Sequence, residues 1–463
     1  MSKINDIGSK VVKIVIKGVS HVPGVGAILP KRKVVKRLKF NHILRILGPG
    51  LITGAADDDP SGIATYSQTG AQFGFGQLWT SLYQIPLLIA VQEACARIGA
   101  VTGKGIAGVV KDNYKRKVLY AIVLLVVLAN TINAGTDIGA VASAVRLVID
   151  VPFIVLCILT AFIIALLEVF VSYKQYAKIL KWLSLGLLAY PVTALIVREP
   201  WGQIIRATII PHISLSFGFL FIITGVFGTT ISPYMFFWQS SGEVEEEIAA
   251  HMVAQRGGIP RLTRRFIHNL RLDTTVGMFA SEITQWFIII STATVLFSHG
   301  IHNINSASQA AQALQPLVHS FPNSGQLAKD IFAIGIVGLG FLAIPVLAGS
   351  SAYAMSEAFG WKEGLYRKFS KAKGFYGVII VGTLIGLLIN FLGINPIKAL
   401  VFTAVFNGVA SVPLVFLIAK INSNEGIMGE YKGGRLSRFI MWVTFAIMAT
   451  AAIAMFYTLF AGA

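Results

Sequence analysis

Charge is scarce in this chain. Only 13% of its 463 residues are Asp, Glu, Lys or Arg, while 55% are hydrophobic, and its mean hydropathy is +0.71. A soluble domain carries roughly 25% charged residues. The shortage excludes a soluble enzyme and points to an all-α protein that crosses the membrane many times. Cysteine is nearly absent: Cys95 and Cys157 lie in apolar runs, which excludes a disulfide framework and a thiolate metal site. Acids are fewer than bases, 21 against 39, for a formal charge of +18. In a polytopic protein such an excess reports loop orientation, so no nucleic-acid partner is expected. No apolar run followed by a cleavage site marks a signal peptide. The eight histidines fall outside the apolar spans and show no ligand spacing.

The few acids gather in one place. Ile46 to Gln72 begins and ends like a membrane span, yet its middle reads Asp57-Asp58-Asp59-Pro60-Ser61-Gly62. Carboxylates at membrane depth are costly and usually functional. Pro and Gly beside them break the helix, and broken backbone survives there only inside protein or along a wet cavity. Paired half-helices of this kind form the ion and substrate sites of secondary transporters. A loop between two short spans is the plain alternative, but the apolar halves are too short to span separately.

Eleven spans are expected, near residues 46–72, 76–97, 118–145, 151–172, 180–198, 216–242, 274–298, 328–355, 374–393, 396–419 and 438–460. Residues 1–45 form a basic tail with eleven Lys and Arg and one acid, Asp6. Alternate connections collect 34 of the 39 basic residues. This bias puts the N-terminus in the cytoplasm and, with an odd number of spans, the C-terminus outside. A cell membrane is assumed in the absence of any organelle address. Span 6 echoes span 1: Ile52-Thr-Gly leads to Pro60, and Ile223-Thr-Gly leads to Pro233. An odd offset of five spans makes the halves inverted, 46–198 against 216–419, with 438–460 left over. Inverted repeats with paired broken helices imply a midplane site and alternating access.

The stretch LGPGLITGAADDDPSGIATYSQTGAQFGFGQLW resembles the first-helix signature of the Nramp divalent-metal transporters. NAGTDIGA in span 3, GVFGTTISPYMFFWQSS in span 6 and LAGSSAYAMSEAFGW in span 8 are similar to that family's motifs as well. The resemblance covers roughly residues 40 to 420. It implies a LeuT-like fold, two inverted five-helix repeats plus an eleventh span, with helices 1 and 6 broken. It also implies a metal site at Asp59, the carbonyls of Ala56 and Thr229, and the positions of Gly62 and Ser232. Gly62 stands where the family has a metal-binding Asn, and Ser232 where it has Met. Tyr234 stands at a family His, Ala140 replaces the Glu after Asp137, and span 9 contains no Arg. Asn407 is the nearest polar residue to the family's span-10 Gln.

These departures have a physical reading of their own. A thioether favours softer ions such as Mn²⁺, Fe²⁺ and Cd²⁺, and here a hydroxyl takes its place. The remaining donors are the Asp59 carboxylate, the Thr229 and Ser232 hydroxyls, and freed carbonyls. Such a set suits Mg²⁺, which prefers oxygen and gives up its water reluctantly. The pattern resembles the Nramp-related magnesium transporters, a branch that implies passage of Mg²⁺ and Mn²⁺ without proton coupling. The missing Glu, His and Arg also remove the usual parts of a proton relay. The expectation is an uncoupled transporter with a metal-ion substrate and no cofactor; the alternative is an ordinary proton-coupled Mn²⁺/Fe²⁺ symporter. A sodium-coupled solute symporter and a membrane hydrolase pairing Asp59 with Asp137 fit the sequence less well.

Several residues carry two readings. Asp57 and Asp58 are either a cation-attracting vestibule or solvated acids. Asp137 is either a relay member or a packing residue. Thr229 and Ser232 either meet the ion or bond back to the helix. Glu93, Glu168 and Glu282 are either on the ion path or structurally paired. Glu243 to Glu247 read as a solvated face.

Overall fold

Two X-Pro steps decide where the long apolar segments break. Proline has no N–H to donate and disfavours helical backbone in the residue before it. In the computed structural model, Asp59 is extended (φ −61°, ψ 171°) and Pro60 opens a new helix. Ser232 is likewise extended (φ −100°, ψ 144°), and Pro233 opens the next. The two breaks expected from the sequence are therefore built by the same local device.

The structure describes residues 48–170, 189–196, 199–253, 257, 258, 260, 262–318 and 323–461. The α-helices are α1 Pro49–Asp57, α2 Pro60–Phe73, α3 Trp79–Thr102, α4 Ile106–Asn113, α5 Arg116–Val145, α6 Phe153–Phe170, α7 Ala189–Ile196, α8 Trp201–Ile209, α9 Phe217–Thr230, α10 Pro233–Ala249, α11 Arg264–Val295, α12 Ala307–Gln312, α13 Ser324–Phe359, α14 Lys373–Ile389, α15 Pro396–Ser423, α16 Glu425–Met428 and α17 Arg435–Ala461. There is no strand among the described residues. Nine helices or helix pairs there are long and apolar enough to cross a membrane; the broken pair α1–α2, with its three Asp, precedes them in the chain. Most of the fifth expected span, 180–198, and the basic tail 1–45 lie outside the described residues. The seventh and eighth spans run longer than expected, to 32 and 36 residues.

The broken helices sit inside a ring of unbroken ones. The span formed by α9 and α10 has 94% of its most apolar window buried. By contrast, α6, α14 and α17 keep only 28–33% of theirs buried and face outward with large apolar side chains. Half-helix α1 lies on α11 with almost no side chain between them. A methyl at Gly54 would sit 2.3 Å from the Gly277 carbonyl oxygen, and one at Gly277 would sit 2.2 Å from that of Gly50. Asp273 of α11 caps α1 from outside its own sequence. It accepts from the amides of Gly48 (2.9 Å), Gly50 (2.8 Å) and Leu51 (3.2 Å), donors that a helix start otherwise leaves unmet.

An ionic knot closes the same end. Arg97, 1% exposed, donates to both oxygens of Glu93 (2.9 and 2.7 Å), to Asn422 Oδ1 (2.8 Å) and to the Tyr431 carbonyl (2.5 Å). Arg271 also reaches Glu93, at 2.8 Å. Glu93 is thus a paired structural acid rather than an ion-path residue. Removing one partner of a buried pair costs roughly 3–5 kcal/mol. Arg97→Met is expected to lower the thermal midpoint in detergent sharply, while Arg438→Met, outside this knot, changes it little.

Candidate functional site

The α1–α2 break turns on Asp59. Its Oδ1 accepts from the Gly62 amide (2.6 Å) and from Ser61 Oγ (2.7 Å), capping α2. Its Oδ2 accepts from Asn133 Nδ2 of α5 at 2.9 Å. The carboxylate is fully buried and held from three sides. Gly62 lets oxygens of both breaks approach closely beside it. A methyl there would lie 2.9 Å from the Asp57 carbonyl, 3.1 Å from Thr229 Oγ1 and 3.4 Å from Asp59 Oδ1. Three oxygens from two broken helices therefore converge on one small gap, too tight for a methyl without displacing them.

The second break supplies further oxygens. Thr229 Oγ1 and Ser232 Oγ are buried and take part in no hydrogen bond. Neither bonds back to its own helix, so that reading of these two residues is set aside. The backbone around the breaks is partly engaged. Tyr234 Oη donates to the Ala56 carbonyl at 2.7 Å, so one of the two carbonyls expected to be free already has a partner. Ser411 Oγ of α15 donates to the Ile231 carbonyl at 2.5 Å.

The remaining acids are not solvated. Asp57, Asp58 and Asp137 are each fully buried, which overturns the solvated reading of the first two. Ser281 of α11 donates to Asp57 Oδ2. Asp57 Oδ1 and both oxygens of Asp58, Asp137 and Glu282 accept no hydrogen bond. Asp57 and Asp58 face Glu282 across the α1–α11 contact, whereas Asp137 faces Asp59 from α5. Glu243, Glu245 and Glu247 are also buried, contrary to the solvated face expected. Glu243 accepts from Gln239 Nε2 at 2.9 Å, and Glu245 accepts from Tyr353 Oη at 2.6 Å. Glu168 is buried at the end of α6 with Oε2 unbonded. Asn407 is buried on α15, its carboxamide unbonded.

Sequence reasoning placed Asp59, Gly62, Thr229 and Ser232 at the breaks; Asp59, Gly62 and Thr229 come together there, and Ser232 sits at the second break before Pro233. It missed Asn133, although Asn133 and Asp137 are four residues apart and so share a helix face. It also missed Asp273, whose role depends on how α11 docks. Beyond the site, α2, α5, α9 and α15 line a cavity of about 830 Å³ that includes Gln68, Gln72, Thr136, Asn303, Lys398 and Thr403.

The comparisons with known proteins agree with this architecture. The chain is 25% identical over 455 residues to a divalent metal cation transporter MntH of Ralstonia nicotianae, covering 96% of each chain. It is 25% identical over 420 residues to MntH of Klebsiella pneumoniae, covering 88% of this chain and 92% of the relative. A crystal structure of the Eremococcus coleocola manganese transporter superposes with TM-score 0.73 at 15% identity, over 92% of this chain and 88% of that one. A crystal structure of MhsT in complex with L-phenylalanine superposes with TM-score 0.57 at 13% identity, over 92% of this chain and 99% of that one. These likenesses establish the LeuT-like fold, and the relatives named are transporters rather than enzymes. The family model Nramp, natural resistance-associated macrophage protein-like, matches residues 50–458, and the chain accordingly belongs to the Nramp family, a family of multi-pass membrane proteins.

Proposed function

We propose that this protein carries divalent metal cations across the cell membrane by alternating access, with Mg²⁺ the principal substrate, Mn²⁺ also carried, and no proton moved with them. The observation that carries this reading is the gap at Gly62, bounded by Asp57 O, Thr229 Oγ1 and Asp59 Oδ1, with Ser232 Oγ buried and unbonded on the facing break. All these donors are hard oxygens, and one carboxylate anchors them. That chemistry fits a cation which keeps part of its water. The divalent-metal descriptions of the relatives support the broader class. In this reading Asp59, Thr229, Ser232 and the Ala56 and Thr229 carbonyls contact the ion, Gly62 makes room, and Asp57, Asp58, Asp137 and Tyr234 line its route.

The reading also takes residues 46–198 and 216–419 as inverted repeats, 438–460 as the extra span, the 1–45 tail as cytoplasmic and the C-terminus as external. Inward movement of a divalent ion across 100 mV releases about 4.6 kcal/mol, enough to drive uptake without protons. One observation favours the proton-coupled Mn²⁺/Fe²⁺ alternative. Asp58, Asp137 and Glu282 are buried titratable groups whose carboxylate oxygens accept no hydrogen bond, and groups of this kind serve as proton relays in membrane transporters.

Proteoliposomes loaded with Mg²⁺-, Mn²⁺- and pH-sensitive dyes separate the two. Entry of Mg²⁺ and Mn²⁺ at constant lumenal pH supports uncoupled transport. Mn²⁺ entry with stoichiometric acidification and no Mg²⁺ entry overturns it. Ser232→Met should place a soft thioether in the site. Mg²⁺ uptake is then expected to fall about tenfold while Mn²⁺ uptake persists and Cd²⁺ uptake rises, measured with the same dyes.

A further inference from the structure

The Asp59 carboxylate has spare capacity on one side only. An ionised carboxylate offers about four lone-pair sites. Oδ1 spends both of its own on the α2 cap, through Ser61 Oγ and the Gly62 amide. Oδ2 spends one on Asn133 Nδ2 and retains one, on the side of α5.

That side is made of acceptors. Because the carboxylate can only accept, Asn133 must turn its NH₂ toward Asp59, and this fixes which end of the carboxamide is the oxygen. Asn133 Oδ1 is then buried beside Asp59 with no hydrogen bond. One helical turn later on the same face, both oxygens of Asp137 are buried and unbonded, with Asp59 as the neighbouring charge. The amide of Ser61, at the positive start of α2, is turned toward Asp137. Next to Asp137, Thr136 lines the 830 Å³ cavity. Buried polar groups are normally satisfied, and each exception needs an explanation. With the Ser61 amide as the donor turned toward Asp137, acceptors still outnumber donors here, an arrangement that a cation satisfies.

We infer that Asp59 Oδ2, Asn133 Oδ1 and the Asp137 carboxylate form a station for the transported cation on the seam between α1–α2 and α5, adjoining the cavity. This rests on the transport reading given above and extends it. The carboxamide that Gly62 cannot supply from the broken helix is supplied across the seam by Asn133. Asp137 is then a cation contact, neither a packing residue nor a proton relay member.

The test is Mg²⁺ uptake by proteoliposomes of Asn133→Asp, Asn133→Leu and Asp137→Asn, read as half-saturating Mg²⁺ and maximal rate separately. Thermal midpoints in detergent, with and without Mg²⁺, accompany each variant. The station predicts that Asp137→Asn and Asn133→Leu raise half-saturating Mg²⁺ at least tenfold and shrink the Mg²⁺-induced thermal shift. It predicts that Asn133→Asp keeps half-saturation at or below the native value, since the new oxygen carries charge. If Asn133 only donates to Asp59, Asn133→Asp instead sets like charges together and raises half-saturation. That result, or half-saturation within twofold of native in both Asp137→Asn and Asn133→Leu, overturns the station. Should Asn133→Leu fail to fold, the other two variants decide. Asp59→Ala separates the levels: uptake indifferent to Asp59 defeats the transport site itself, whereas uptake that needs Asp59 but ignores Asn133 and Asp137 defeats only the station.

Discussion

Asp59→Asn is expected to fold like the native protein and to carry no metal. Asp59 does two jobs that this substitution separates. As the residue before α2 it accepts from the Gly62 amide at 2.6 Å, and Asn is as good an N-cap as Asp. As the charged group between Asn133 and the gap at Gly62, it has no neutral substitute. Loss of a group that merely supports a metal ligand costs 10- to 100-fold in affinity, so loss of the anchoring charge should lower Mg²⁺ and Mn²⁺ uptake by at least about 100-fold. Asp59→Ala should lose transport equally and also lose the cap, at a further cost of about 1 kcal/mol. Dye-based uptake and thermal unfolding in detergent read the two effects independently. An Asn variant that still transports would mean the cation is held elsewhere.

Gly277→Val is expected to open the other end of the molecule. The added carbon would lie 2.2 Å from the Gly50 carbonyl oxygen, and that oxygen belongs to helix backbone, so no side-chain rotation relieves the overlap. Half-helix α1 must move off α11, taking with it the amides that Asp273 holds. Overpacking of this kind typically costs 1–3 kcal/mol. Thr53 reports the movement. It is fully buried and donates to Gln239 Oε1 at 2.6 Å. The thiol introduced by Thr53→Cys should resist a water-soluble maleimide in the native background and react at least tenfold faster when Gly277→Val is added. Metal uptake should fall in parallel. A thiol that stays protected would show that α1 tolerates the contact without moving.

What could be read from the sequence follows from how local each cause is. The breaks at Asp59 and Ser232 were legible because X-Pro geometry acts on the residue beside it. Thr229 and Ser232 were legible because position relative to a break is a matter of counting. Asn133 was not, because its value depends on α5 presenting one face to α2 at a register that no local pattern states. Asp273 was hidden for the same reason: it caps a helix more than two hundred residues away. The Glu243 to Glu247 run was misread because an acidic stretch looks solvated until the partners that bury it, such as Tyr353 and Gln239, are in place. Those partners come from the packing of α10 against α13 and from the helix's own preceding turn.

The cavity beside the site bears on how fast an ion can be caught. Its lining residues include amides, hydroxyls and apolar side chains, with Lys398 as the one charged group and no carboxylate. Charged clefts speed association by focusing the field on an approaching ion. This cavity offers no such funnel, and its single fixed charge repels a cation. For an ion that enters by this cavity, encounter is governed by diffusion into neutral surroundings, and the capture rate should respond only weakly to ionic strength. In the proposed reading the attraction begins within the protein, at Asp137 and Asp59, after the ion has left the bulk. A transporter built this way trades speed of encounter for a choice made at close range, where the size of an ion and its hold on water differ most.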